Sequence, residues 1–103
     1  MSDLTSDVRH EVQRGVILMI LVHRNLEWVP FSELRAQMAR GQGYPLTDAE
    51  LWFHLRYLGG RDYIETRNPR PGRADISLYL VRALSKAVDL LDGRLPPDVG
   101  VAF

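Results

Sequence analysis

The chain has 103 residues, thirteen basic against thirteen acidic side chains, and a 46% hydrophobic composition. That length fits one domain whose core forms without a metal or a disulfide. The absence of cysteine excludes a disulfide framework, a zinc finger and a thiol nucleophile, and the zero charge balance excludes a histone-like polycation while leaving room for a local basic patch.

Twelve of the thirteen basic residues are Arg, and Lys86 is the single Lys. Two readings fit that bias: genomic base composition, or phosphate contact, for which the forked guanidinium is better shaped than an ammonium. The start, Met1 to Asp7, is polar and acidic, unlike the basic region of a signal peptide. The longest apolar run, Val16 to Val22, falls far short of the roughly 20 residues that cross a bilayer. A cytoplasmic location is the expectation.

Asp7 to about Arg24 is predicted to be a long helix, with Thr5 or Ser6 as its cap. Val8, Val12, Val16, Met19, Ile20 and His23 recur at helical spacing. Ile17, Leu18, Leu21 and Val22 extend the apolar surface around most of the circumference. A helix apolar all round needs cover on more than one side, and a partner subunit is the economical cover, so a homodimer is expected. Gly15 would allow another helix to approach closely.

Glu27 to Phe31 is read as a short extended segment. A second helix then starts behind a Ser32 cap, carries Leu34 and Met38 on one face, and ends at Gly41 and Gly43. Thr47-Asp48-Ala49-Glu50 is a capping box, flanked by Leu46 and Leu51 at the positions of a hydrophobic staple. The third helix is predicted from about Asp48 to Leu58, stopped by Gly59-Gly60. Leu51, Leu55 and Leu58 form its buried stripe; Ala49, Trp52, Phe53, Arg56 and Tyr57 point away from it.

Asp62 to Arg67 has strand-type residues, and Asn68 to Arg73 is turn chemistry. From Ala74 to about Arg82, Ile76, Leu78 and Leu80 alternate with Asp75, Ser77 and Tyr79, which predicts the return strand of a hairpin with a six-residue tip. Ser85 to Gly93 is a last short helix capped by Ser85; a start near Val81 also fits the period. The residues from 94 to 103 are broken by Pro and Gly, and either pack on the body or hang free. The fold class is therefore mainly α with a small β-hairpin, in the order α-β-α-α-β-β-α, with one domain over residues 1–93 and a tail over 94–103.

This order resembles the winged-helix branch of helix-turn-helix proteins, over roughly Val8 to Gly93. The run from Leu51 to Ile64 is similar to the segment of PadR-like and MarR-like bacterial transcriptional regulators in which a recognition helix ends at a Leu-x-x-x-Gly turn and enters the wing at Tyr63-Ile64. Leu84 to Leu91 is similar to the start of their closing helix, with Ser85 in the place of Thr and Ala87 or Val88 where Gly is usual. The resemblance implies a bacterial or phage transcription regulator that binds double-stranded DNA as a homodimer.

By the resemblance, Asp48 to Leu58 enters the major groove. Its outward face offers Arg56 together with Trp52, Phe53 and Tyr57, while Asp48 and Glu50 stand at its N-terminal end. The wing offers Arg67, Arg70 and Arg73 without an acid between Thr66 and Ala74, placed for phosphates or a narrow minor groove. Residues 61–74 carry four Arg, including Arg61, against Asp62 and Glu65, a net +2. Arg35 and Arg40 of the second helix, with Gln37 and Gln42, add phosphate contacts. Val12, Val16, Met19, Ile20 and Phe103 are the expected dimer surface. The alternative is a winged-helix protein-interaction module that docks a partner on Trp52, Phe53 and Tyr57.

No enzyme chemistry is read from the sequence. His10, His23 and His54 are not at metal-ligand spacing, and no Gly-x-Ser-x-Gly or Gly-rich phosphate loop occurs. His23 is expected to end the apolar stripe and His54 to be a half-buried packing residue. No cofactor and no metal are expected.

Overall fold

A computed structural model of the chain describes residues 4–41, 44–73 and 75–103, with residues 4–7 described by their backbone alone. Gln42, Gly43, Ala74 and the side chains of Thr5, Ser6 and Asp7, each given a role above, lie outside the described residues. Among the described residues the chain is α+β, with four α-helices and one three-stranded antiparallel sheet. The order is α1 (Leu4–His23), β1 (Val29–Pro30), α2 (Phe31–Arg40), α3 (Asp48–Gly60), β2 (Ile64–Arg67), a 3-10 turn (Ile76–Leu78), β3 (Leu80–Ala83) and α4 (Ser85–Leu91).

α1 starts before Thr5 and Ser6, which therefore sit inside its first turn rather than ahead of it. Ile17, Leu18 and Leu21 are fully buried, and Ile20 joins the same core. The chain itself thus covers most of the helix, and the apolar surface left outside is a stripe of Val8, Val12, Val16 and Met19. His23 does not end a buried stripe, since it is exposed. Behind α1, Asn25 (φ 57°) and Leu26 (φ 62°) are both left-handed, and the Glu27 N–H donates to the Arg24 carbonyl (3.1 Å). Two successive positive φ values closed by that bond make a type I′ turn.

α2 begins two residues earlier than the Ser32 cap requires. Pro30 is its N-cap, and Ser32 lies in the first turn. Phe31, Leu34 and Met38 bury its inner face. The α3 start is as the sequence predicts: the Glu50 N–H donates to Thr47 Oγ1 (3.1 Å) and the Thr47 N–H to Glu50 Oε1 (3.0 Å). The Thr47 N–H first, and then the Thr47 side chain, hold the Glu50 carboxyl below its ordinary pKa.

The predicted stop of α3 is wrong by two residues. The helix runs through Gly59 and Gly60, and the left-handed residue is Asp62 (φ 63°). The Tyr63 N–H donates to the Leu58 carbonyl (3.1 Å) and the Asp62 N–H to the Gly59 carbonyl (3.1 Å). This crossed pair is a Schellman end, sealed by the buried side chains of Leu58 and Tyr63.

The sheet order is β1-β3-β2, so the central strand β3 receives β1 on one edge and β2 on the other. Pro30 is tolerated because β1 is an edge. The predicted return strand is only half realised. Asp75 accepts from the Ser77 N–H (3.0 Å) and hydroxyl (2.7 Å), which winds Ile76–Leu78 into a 3-10 turn. The turn shifts the strand's phase, so Val81 and Ala83 face the core in place of Leu80. The loop between the strands therefore spans residues 68–79, not a six-residue tip. α4 takes Leu84 rather than Ser85 as N-cap, and Val81 belongs to β3, which excludes the earlier helix start.

The tail packs on the body. The Ala102 N–H donates to the Glu11 carbonyl (3.0 Å), and Val101 is buried. A Cβ on Gly15 would lie 1.8 Å from the Ala102 carbonyl oxygen. The close approach that Gly15 permits is thus made by the chain's own tail.

Candidate nucleic-acid interface

α3 lies between two supports. On one side Trp52 stands edge-on to Tyr79, ring centroids 5.2 Å apart, which ties the helix to the base of the loop after β2. On the other side α3 packs on α1 through a buried polar set that no local pattern announces. His54 is 1% exposed, so it is a core residue and not half-buried. The Arg14 Nε–H donates to His54 Nδ1 (3.2 Å). Because a guanidinium only donates, Nδ1 carries no proton, and the His54 Nε2–H donates to Gln13 Oε1 (2.9 Å). Burial first, then the Arg14 charge and His10, push the His54 pKa down to about 4.

Arg14 also ties in the tail. Its Nη1 donates to the Gly100 carbonyl (3.2 Å), and its guanidinium lies 3.9 Å from the Tyr57 ring centroid. Burial lowers its pKa, which is consistent with a cation held among rings and dipoles. Asp98 accepts from the Tyr63 hydroxyl (2.7 Å), the Tyr57 hydroxyl (3.0 Å) and the Gly100 N–H (2.8 Å). Burial works to raise its pKa, but these bonds and the Arg61 charge together hold it below the usual carboxylate range. Burial and the same carboxylate push Tyr63 up to about 12.

Sequence reasoning missed Gln13, Arg14, Tyr63 and Asp98. The available hints were polar residues at inward helical positions and one acid in an otherwise apolar tail. Their partners lie 35 to 86 residues away in sequence, beyond any local pattern.

The expected DNA-contacting arginines fall into two groups. Arg35 pairs with Asp48 (3.1 Å) and donates to the Leu46 carbonyl (2.7 Å), and Arg61 reaches Asp98 (3.6 Å) over the Tyr57 ring. Away from the expected set, Arg24 pairs with Glu33 and Arg82 with Glu65. Glu65 is thereby turned to its cross-strand partner, not to Arg67, Arg70 or Arg73. Arg40, Arg56, Arg67, Arg70 and Arg73 are exposed, and among the described residues none of them makes an ion pair.

The loop carrying Arg70 and Arg73 has an ordered tip. The Arg70 N–H donates to Asn68 Oδ1 (3.0 Å), the Asn68 amide to the Arg73 carbonyl (2.8 Å), and the Arg73 N–H to the Arg70 carbonyl (2.8 Å). Both guanidiniums stay exposed at the end of a closed turn.

The expected partner-binding residues also divide. Ile20 is in the core, Val12 and Val16 are half-buried, and Met19 and Phe103 are exposed. Trp52 is half-buried, Tyr57 is half-buried beneath the tail, and Phe53 is 54% exposed.

Among the described residues, no group of three or more His, Asp or Glu is placed to hold a metal ion, and no helix is long and apolar enough to cross a membrane. Comparison of the chain with protein-family models, curated proteins and solved structures finds no match.

Proposed function

We propose that this chain is a winged helix-turn-helix protein that binds double-stranded DNA and regulates transcription as a homodimer in the cytoplasm, without a cofactor, a metal or an enzymatic step. α2 and α3 form the helix-turn-helix pair, α3 enters the major groove, and the loop over residues 68–79 is the wing. Element order and the three-stranded sheet support the reading.

One observation carries it. Arg24, Arg35, Arg61, Arg82 and Arg94 are matched to acids inside the molecule, while Arg40 of α2, Arg56 of α3 and Arg67, Arg70 and Arg73 of the adjoining wing face solvent without an acid among the described residues. Exposed and unneutralised guanidiniums on neighbouring elements suit a polyanion. The acids at the start of α3 oppose this little: Asp48 faces Arg35, and Glu50 is folded back into the capping box.

The alternative, a protein-docking face of Trp52, Phe53 and Tyr57, is weaker. Tyr57 is engaged by Asp98 and Arg14, and Trp52 by Tyr79. The stripe of Val8, Val12, Val16 and Met19, with Phe103 beside Gly15, is the surface that a second copy would cover.

Fluorescence anisotropy with labelled mixed-sequence 30-bp duplexes at low salt tests the reading. Saturable binding supports it, and no binding at micromolar protein refutes it. Light scattering tests the dimer, which a strict monomer at micromolar concentration would contradict.

A further inference from the structure

The groove-facing ridge of α3 is nearly devoid of hydrogen-bonding groups. Ala49, Phe53, Arg56 and Gly60 follow at i, i+4, i+7 and i+11, all exposed, along the side of the helix opposite the Leu51, Leu55 and Leu58 stripe. The helix contains no Asn, Gln, Ser, Thr or Lys. Its remaining polar side chains are engaged: Asp48 with Arg35, Glu50 in the capping box, His54 in the core and Tyr57 on Asp98.

Phe53 is also held in place. Its ring lies 5.8 Å from that of His10 and 5.6 Å from that of His54, with the Arg14 guanidinium 5.5 Å from its centroid. A buttressed ring loses little rotamer entropy on docking.

In the major groove the base edges present hydrogen-bond donors and acceptors, and the thymine 5-methyl is the one apolar group that projects from them, cytosine offering only a C5–H at that position. An apolar ridge set against adenine N6, cytosine N4 or guanine O6 strips water from those groups without replacing the bond, which is unfavourable. Against a methyl it buries apolar surface instead. We infer that Ala49 and Phe53 select thymine 5-methyl groups, with Arg56 as the one polar base reader of the ridge, on guanine. The inference rests on the DNA-binding reading and names what that site selects. Ala49 and Phe53 are about 6 Å apart along the helix, so the two methyls lie within about two base steps.

The test is selection from a pool of random-sequence 30-bp duplexes, followed by resynthesis of the best-retained duplex with deoxyuridine in place of every thymidine. A uracil duplex keeps the charge, shape and pairing and lacks only the methyls. Enrichment of closely spaced thymines and a loss of about fourfold in affinity per contacted methyl, roughly fifteenfold for two, are expected. In Phe53→Ala the thymine-to-uracil ratio should fall by about fourfold, and because that ratio compares two ligands of one protein, a general loss of stability does not move it. Equal affinity of wild type for the thymine and uracil duplexes overturns the inference and leaves DNA binding standing. Retention of no duplex overturns DNA binding and this inference with it.

Discussion

His54 makes the fold sensitive to mild acid. Its ring is 1% exposed, accepts from Arg14 at Nδ1 and donates to Gln13 from Nε2. A second proton would need Nδ1, where it would meet the guanidinium it now accepts from. His10 opposes that proton too, and Glu50 pulls weakly the other way. The folded state therefore titrates at about 4, against 6.5 for the free side chain. Between those values the unfolded chain binds the additional proton, so stability falls as pH drops through the window. Integrated from pH 7.5 to pH 4.5, the two values give a loss of about 2–3 kcal/mol. That is a large share of the roughly 5–15 kcal/mol expected of a domain this size.

Urea unfolding followed by far-UV circular dichroism at half-unit pH steps reads the loss directly. His54→Gln, which cannot titrate, should start less stable and lose about 2–3 kcal/mol less than wild type over the window. A flat wild-type profile would refute the buried neutral imidazole, as would an acid slope that survives in His54→Gln.

Three further substitutions probe the frame. Gly15→Ala drives a Cβ to 1.8 Å from the Ala102 carbonyl oxygen, so the tail must lift; a loss of about 1–3 kcal/mol in urea unfolding is expected, and an unchanged midpoint would mean the tail is not seated on α1. Thr47→Ala removes one acceptor of the capping box and should cost about 1 kcal/mol by the same assay. Asp98→Asn weakens an acceptor shared by Tyr57, Tyr63 and Gly100, at a cost of about 2 kcal/mol at pH 7. The depressed Asp98 pKa gives stability that is present above the unfolded value and lost as pH falls below it, so the variant's profile should also be flatter below about pH 4.

Much of the frame is legible where the signal is local. The capping box at Thr47-Asp48-Ala49-Glu50 and the Leu51, Leu55, Leu58 stripe fix the start and facing of α3 from a dozen residues. The end of α3 is misread because glycine is the usual left-handed residue, whereas here Asp62 takes that conformation and both glycines stay helical. The turn at Asn25 and Leu26 goes unpredicted, since an apolar left-handed residue such as Leu26 carries no turn signal of its own. The alternation from Asp75 to Leu80 suits a strand, yet the Asp75 side chain captures the Ser77 N–H first, and a local side-chain bond of this kind competes with a ladder.

Within the candidate site, the sequence marks Arg56, Arg67, Arg70 and Arg73 as cations but cannot say which arginines are neutralised inside the molecule. Arg35 and Arg61 look equivalent to them on paper and differ only through Asp48, Asp98 and Tyr57, which the fold brings alongside. The Arg excess thus has two uses. Some guanidiniums hold the structure together, and others are left to solvent on α3, at the end of β2 and in the loop after it.

That division is tested most directly by the salt dependence of duplex affinity. Each exposed guanidinium that contacts a phosphate should add about one to the slope of log Kobs against log salt. The account predicts that Arg70→Gln and Arg73→Gln each lower the slope by about one, and that Arg82→Gln, whose charge is matched by Glu65, leaves it unchanged. Equal slopes for wild type and the Arg70 and Arg73 variants, or an Arg82 effect as large as theirs, would contradict it.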